Sequence, residues 1–220
     1  MNNLPYIKRK YDFSLALTEC NVLFDYLESL NSSLDGFKEL QGPALTTAGI
    51  KNLNQPHTWP ELGNFIDFMH TIAQEVFGKV KKENYQQNIA RSWTNRYWQD
   101  SFIEEHNHEG VDLVFSCYVN KPKDSGNLEL FYNNQWNEVE IETNDVIVFS
   151  GRIPHRTQKS LSNEPRVILA INTNHFVQPY LEKIKKAGNN FAKTKIISDE
   201  YDRFYKKKLD EMELKLCLLN

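Results

Sequence analysis

Near residue 86 the spacing of apolar residues changes from the helical period to the period of two that a strand imposes, and this change limits the possible folds more than any other feature of the chain. Before it, "TECNVLFDYLESLNS" (18–32) carries Val22, Leu23, Tyr26, Leu27 and Leu30 at helical spacing. "NFIDFMHTIAQEVFGKV" (64–80) does the same with Phe65, Phe68, Met69, Ile72, Val76 and Phe77, and Asn64 stands where a helix cap is expected. Between them "GPALTTAGIKNLNQPHTWPEL" is rich in turn residues and reads as an irregular connection. After the change come "NIARSWTNRYW", "VDLVFSCYVN", "NLELFY", "EVEIE", "DVIVFS" and "RVILAINTNHF", short and rich in β-branched and aromatic residues. The turn clusters "KPKDSGN", "YNNQ" and "ETND" separate them, which predicts an all-β sandwich or barrel. The tail returns to helix: "DEYDRFYKKKLDEMELKLCLL" puts Tyr201, Phe204, Tyr205, Leu209 and Met212 on one face. That stripe is expected to pack on the domain, with a homodimer contact as its other use, and Lys206, Lys207 and Lys208 form its solvated side.

The expected class is therefore mainly β with flanking helices (α+β). One domain spans 1–220, with a helical N-terminal part (1–84), a β core (85–178) and a helical tail (179–220). A net charge of −3 gives no global electrostatic reason to expect nucleic acid. Cys20, Cys117 and Cys217 match no zinc or redox spacing and read as reduced thiols. "MNNLPYIKRKYDF" lacks the apolar core of a signal peptide, and no apolar run has the length of a membrane span. A soluble, cytoplasmic protein without membrane partners is expected.

Chemistry concentrates in the β region. In "SFIEEHNHEG", His106 and His108 are two apart, so an extended backbone turns both side chains to one face. His155 follows the apolar strand "DVIVF" in "FSGRIPHRTQ", and a third ligand from a distant strand is how a β-sandwich builds an open metal site. Arg166 opens "RVILAIN"; an arginine that points inward needs a partner, and a carboxylate is its natural bidentate match. Trp93, Asn95 and Tyr97 alternate on the strand before the histidine pair, share one face, and are candidates to line a pocket. Taken singly, each feature has a plainer use: His-x-His on an acidic loop is more often solvated, and an arginine more often pairs at the surface. Their joint order favours a site. The tripeptide "HNH" is not an HNH nuclease signature, whose residues are scattered over a ββα unit. His57, His70 and His175 receive no role, although His175 lies near a strand end.

In this order the residues resemble the 2-oxoglutarate/Fe(II)-dependent dioxygenases, whose core is a double-stranded β-helix, or jelly roll. That pattern is a His-x-Asp/Glu pair, a later histidine, and about ten residues beyond it a cation for the cosubstrate's distal carboxylate. "CYVNKPKDSGNLELF" is similar to the prolyl-hydroxylase-like segment, with Tyr118 in the place of the tyrosine that also contacts that carboxylate. "SWTN", "HNH", Ser116 to Tyr118 and "RVILAIN", which ends at Asn172, match the order found in a group of bacterial and phage oxygenases. The resemblance covers about residues 85–175. It implies Fe(II) held by His106, His108 and His155, 2-oxoglutarate as a small-molecule cosubstrate held by Arg166 and Tyr118, and O2 as oxidant. It also implies hydroxylation of a substrate that the sequence does not name, with release of succinate and CO2; Asn172 joins the expected pocket lining.

His108 stands where the family carries a carboxylate. Three neutral imidazoles leave the ion its full charge, and suit zinc, nickel or copper as well as iron. Glu109 or Asp112 could supply the oxygen ligand instead if the backbone turns at Gly110. Two other functions stay open: a cupin-like three-histidine dioxygenase that needs no 2-oxoglutarate, and a non-catalytic jelly-roll binding module.

Overall fold

Strand pairing between segments far apart in sequence organises the computed structural model, which describes residues 4–29, 39–48, 50, 55–78, 80–83, 85–176 and 191–219. The chain opens with β1 (Tyr6–Lys10) and α1 (Ser14–Ser29), then β2 (Leu40–Gln41), β3 (Ala44–Thr46) and α2 (Phe65–Phe77). The β core follows as β4 (Ile89–Tyr97), β5 (Phe102–Ile103), β6 (Leu113–Asn120), β7 (Leu128–Tyr132), β8 (Gln135–Val139), β9 (Asp145–Ser150), β10 (His155–Thr157) and β11 (Arg166–Thr173). The last described element is α3 (Phe191–Leu218). No helix among the described residues is long and apolar enough to cross a membrane.

The major sheet runs β1-β9-β6-β11-β4-β3, and the minor sheet β10-β7-β8 is flanked by the β2-β5 pair. Every strand pairing is antiparallel. The seam between β5 and β10 is made by single contacts: Ile103 N–H donates to Thr157 Oγ1 at 2.8 Å, and Ser160 N–H donates to Ser101 O at 3.0 Å. The eight strands from β4 to β11 thus form two facing layers, β4-β11-β6-β9 and β5-β10-β7-β8, which is a jelly roll.

The two faces of the major sheet carry two cores. Leu113, Phe115, Cys117, Val146, Val148, Val167, Leu169 and Ile171 point outward and are covered by α1, α2 and α3. Val114, Tyr118, Ile147, Phe149 and Ile168, on the alternate positions, meet Leu128, Leu130 and Val139 of the minor sheet. A strand buried on both faces reads as a nearly unbroken apolar run, as "DVIVFS" does.

The N-terminal part is not purely helical, because β1 pairs with β9 and β3 with β4 at the two edges of the major sheet. β1 buries Ile7 against the helices while Lys8 and Lys10 each reach Asp145 at 2.9 Å. A charged edge strand with so little alternation gives a weak period-two signal. The apolar faces of two helices also differ from expectation. α1 buries Ala16, Cys20, Phe24 and the expected Leu27, with Leu23 partly buried beside them, and leaves Val22 and Tyr26 each 60% exposed. Leu30 lies outside the described residues. α3 buries Leu209, Met212 and Leu216, while Phe204 is 48% exposed; the Tyr201 side chain lies outside the described residues. Asn64 does hold the N-cap position of α2, but its side chain makes no capping bond.

β7 and β8 are joined by the two-residue turn Asn133–Asn134, so β8 begins at Gln135 rather than within "EVEIE". Both asparagines have positive φ, 52° and 62°, as a hairpin turn that follows the sheet twist requires. Replacing Asn134 by glycine removes the cost of that conformation and should stabilise the chain by about 0.5 kcal/mol. Asn134→Val should destabilise it by about 1–2 kcal/mol. Urea unfolding followed by circular dichroism measures both changes.

Candidate metal centre

Backbone pairing brings the three histidines together. His106 and His155 face each other across an isolated antiparallel bridge, each donating its N–H to the other's carbonyl at 3.0 and 2.9 Å. One strand step later the His108 N–H donates to Gly151 O at 2.8 Å, and Val111 N–H closes a turn on His108 O at 3.1 Å. Gly151 packs so closely that a Cβ there would lie 2.3 Å from Val111 O and 3.0 Å from His108 O. His155 is also held from the other side, opposite Leu130 of β7. The result is a cluster with centroid separations of 4.2 Å (His106–His155), 5.0 Å (His108–His155) and 5.2 Å (His106–His108). One ligand nitrogen from each ring lies within 4.8 Å of the others, the only such group of metal-ligating side chains among the described residues.

Two of the rings have their tautomer fixed by carbonyl groups. His106 Nδ1 lies 2.9 Å from Glu104 O, and His155 Nδ1 lies 3.0 Å from Ile153 O. A carbonyl only accepts, so both Nδ1 atoms carry the proton and both Nε2 atoms keep a lone pair for a ligand. His108 is different: its Nδ1 meets the side-chain amide of Asn172, with Nδ2 at 3.1 Å.

All three imidazoles are held neutral. Burial lowers the His155 pKa well below the ordinary value, with His106 and His108 adding like-charge repulsion. Burial first, then His106 and Arg91, bring His108 down to about 4. His106 is also lowered by burial, against the opposing pull of the Glu104 carbonyl. Neutral imidazole is the form that binds metal.

The cluster sits in a cleft enclosing about 460 Å³ including its open mouth. Trp93, Asn95 and Tyr97 line it as a row along β4, joined by Ser116, Leu128 and Thr157. Beneath the end away from the histidines lies Arg166, 0% exposed, with its guanidinium carbon 4.6 Å from the centre of the Tyr97 ring. Its Nη1 donates to Ser125 O (2.6 Å) and Gly126 O (2.9 Å), and its Nη2 donates to Thr157 Oγ1 (3.3 Å). Gly126 permits this approach of the turn: φ is +77°, and a Cβ there would lie 2.4 Å from Gln158 O. No carboxylate meets Arg166 among the described residues, and its Nε is buried without a hydrogen-bond partner. Tyr118 is fully buried beside it; burial pushes its hydroxyl up to about 12 although Arg166 pulls the other way, and Tyr118 Oη also lacks a hydrogen-bond partner.

The two alternative oxygen ligands are elsewhere. Glu109 is exposed. The Asp112 carboxylate turns away, accepting the backbone N–H groups of His175 and Phe176 (the latter at 3.0 Å). His175 packs on Phe77 at 4.4 Å rather than in the cleft, and His57 bonds Ser92 Oγ at 2.7 Å. Thr157 was not singled out from the sequence, yet it links Ile103 of β5 to Arg166. Its signal was its place two residues after His155, on the same face of β10.

The turn before His155 is gripped from outside by α3. Arg152 Nε and Nη2 donate to Glu213 Oε1 and Oε2 at 3.0 and 2.8 Å, and Nη2 also donates to Asp210 Oδ1 at 2.9 Å.

Five buried or partly buried histidines have folded-state pKa values below the ordinary 6.5: His57, His106, His108, His155 and His175, the last brought down to about 3 mainly by burial. Below pH of about 6.5 the unfolded chain takes up protons that the folded one refuses, so stability is complete above that pH and is lost as pH falls. The metal-free chain should therefore show a falling urea midpoint from pH 7.5 to 6.0 to 5.0. A flat profile would contradict the burial of neutral imidazole.

No protein-family model and no curated protein matches the chain. Solved structures do match. A prolyl-4-hydroxylase from Pseudomonas putida is 13% identical over 78% of this chain and 92% of its own, with a TM-score of 0.52. The non-haem alpha-ketoglutarate-dependent carbocyclase SnoK from nogalamycin biosynthesis is 12% identical over 77% and 80%, with a TM-score of 0.51. HygX from Streptomyces hygroscopicus, solved with nickel and 2-oxoglutarate bound, is 11% identical over 78% and 83%, with a TM-score of 0.50. At these identities the likeness is one of fold: the chain has the jelly-roll architecture of these 2-oxoglutarate-linked structures.

Proposed function

We propose that the chain is a non-haem Fe(II)- and 2-oxoglutarate-dependent dioxygenase that hydroxylates its substrate. The observation that carries this reading is a cleft lined by three neutral imidazoles, His155 buried and His106 and His108 partly so, with a buried, carboxylate-free arginine directly behind its lining residues Thr157 and Tyr97. The donor set fits a divalent cation: three side chains supply nitrogen at neutral charge, and Glu104 and Ile153 orient two of them. The other end fits an anion. A buried guanidinium with only carbonyl and hydroxyl partners is an uncompensated charge, and a carboxylate would compensate it. His155 and Thr157 are one two-residue step apart on β10, about 6.6 Å. That is the length scale of a five-carbon dicarboxylate reaching from the histidines to Arg166. HygX, on the same fold, binds nickel and 2-oxoglutarate.

In this reading His106, His108 and His155 hold the metal, and Arg166 with Tyr118 holds the distal carboxylate of 2-oxoglutarate. Iron and 2-oxoglutarate supply dioxygen activation coupled to decarboxylation, releasing succinate and CO2. The chain's own work is positioning. Trp93, Asn95 and Ser116 form the wall against which a substrate lies beside the histidines, and the apolar residues Leu128, Phe149 and Ile168 keep water out of the inner cleft. Tyr118 stays protonated at neutral pH and donates its O–H to a bound carboxylate.

A second reading is a three-histidine dioxygenase that does not use 2-oxoglutarate, favoured by the absence of a carboxylate from the donor set. Arg166 would then bind the substrate's own carboxylate. Succinate formation coupled to loss of 2-oxoglutarate in the Fe(II)-loaded chain separates the two, and its absence would exclude the first.

Arg166→Lys and Thr157→Val should each weaken 2-oxoglutarate binding to the Ni(II)-loaded chain, Arg166→Lys by about 10–100-fold, the worth of a charge-assisted hydrogen bond. Ni(II) affinity should stay within about two-fold, because neither residue is among the metal donors. Titration calorimetry gives both constants, and an unchanged 2-oxoglutarate affinity in Arg166→Lys would remove Arg166 from the site.

A further inference from the structure

His108 differs from the other two histidines in what holds it. Carbonyls fix His106 and His155 with the proton on Nδ1, whereas His108 Nδ1 faces an amide that can either donate or accept. That amide belongs to Asn172 of β11, buried beside the cluster, opposite Arg91 of β4 and Val114 of β6. With Nδ2 turned towards His108, the amide donates to Nδ1, so the neutral ring must carry its proton on Nε2. A protonated nitrogen offers no lone pair to a metal. In the same arrangement Asn172 Oδ1 is buried and has no hydrogen-bond partner. Turned over, the amide brings Oδ1 to His108 Nδ1–H and frees Nε2, the arrangement that His106 and His155 already have.

We propose that Asn172 is a positioning residue that sets the tautomer of His108, and that its amide turns over when metal binds. The ring stays neutral throughout; its proton moves from Nε2 to Nδ1, and the amide exchanges the donating for the accepting end. This explains how a histidine can take a ligand position without a carbonyl to orient it. A carboxylate ligand has no tautomer to set, so a histidine in its place requires a partner in the layer behind. Asparagine is suited to this because its two ends have nearly the same shape and opposite hydrogen-bonding character. The inference rests on the reading of the three histidines as a metal site.

The test uses the full chain labelled with ¹⁵N-histidine and needs no turnover. Long-range ¹H–¹⁵N spectra report which nitrogen of His108 is protonated. Without metal, His108 should be the Nε2–H form while His106 and His155 are Nδ1–H; with Zn(II), all three should be Nδ1–H. Asn172→Asp can only accept, so His108 should be Nδ1–H even without metal, and Co(II) should bind at least as tightly as to the unaltered chain. Asn172→Leu can do neither, and Co(II) affinity should fall by about 10–100-fold, the usual effect of losing a partner behind a ligand. Zn(II) bound with the His108 nitrogens unchanged would overturn the role of Asn172 while leaving a two-histidine metal site. So would Co(II) affinity lowered in Asn172→Asp as much as in Asn172→Leu. Failure of the unaltered chain to bind either ion would overturn the metal site itself, and the inference with it.

Discussion

Two backbone hydrogen bonds between His106 and His155 hold the functional half of this molecule together. They extend the seam between β5 and β10, two strands otherwise too short to define a sheet, and they place histidines from distant parts of the β core side by side. Without that bridge His106 and His108 would stand on an exposed acidic loop. With it, the Gly151 carbonyl can accept the His108 N–H, and β10 is fixed between β7 and the histidine segment. A side-chain cluster built on mutual backbone pairing is well placed because neither strand can slip without losing both bonds.

The electrostatics of the cleft are organised by what is missing from it. The cleft is lined by neutral imidazoles, on one of which, His106, Glu39 acts as an opposite charge, and an uncompensated guanidinium lies behind it with no carboxylate bonded to it among the described residues. Burial makes each arrangement costly in isolation. A cation near the histidines and an anion near Arg166 relieve both costs together, which gives the proposed ligands a reason to bind as a pair.

Much of the β core was legible because strands buried on both faces leave long apolar runs: "DVIVFS" is β9 without a residue gained or lost. His155 and Arg166 could be marked because one follows and the other opens such a run, and His106 and His108 by their two-residue spacing. Other features had no sequence signal. β1 has a single buried aliphatic residue, Ile7, among charges, so it did not stand out as a strand. The α1 face was legible at Leu23 and Leu27 and misread elsewhere, because the buried Ala16 and Cys20 are small while the larger Val22 and Tyr26 lie in solvent. The ring orientations depend on Glu104 and Ile153 through their carbonyls, which any residue type would supply. The bonds of Thr157 to Arg166 and of Asn172 to His108 join residues far apart in the strand order, so the positions were legible but their partners were not.

The grip of Arg152 on Glu213 and Asp210 gives the order of synthesis a meaning. His155 leaves the ribosome after its bridge partner His106, and the jelly roll can close once β11 has been made. The turn that carries His155 still lacks its outer clamp until Glu213 follows, 61 residues after Arg152. A nascent chain therefore has all three histidines before it has the brace that steadies one of them. The tail helix in this way comes last to a histidine cluster to which it contributes no side chain.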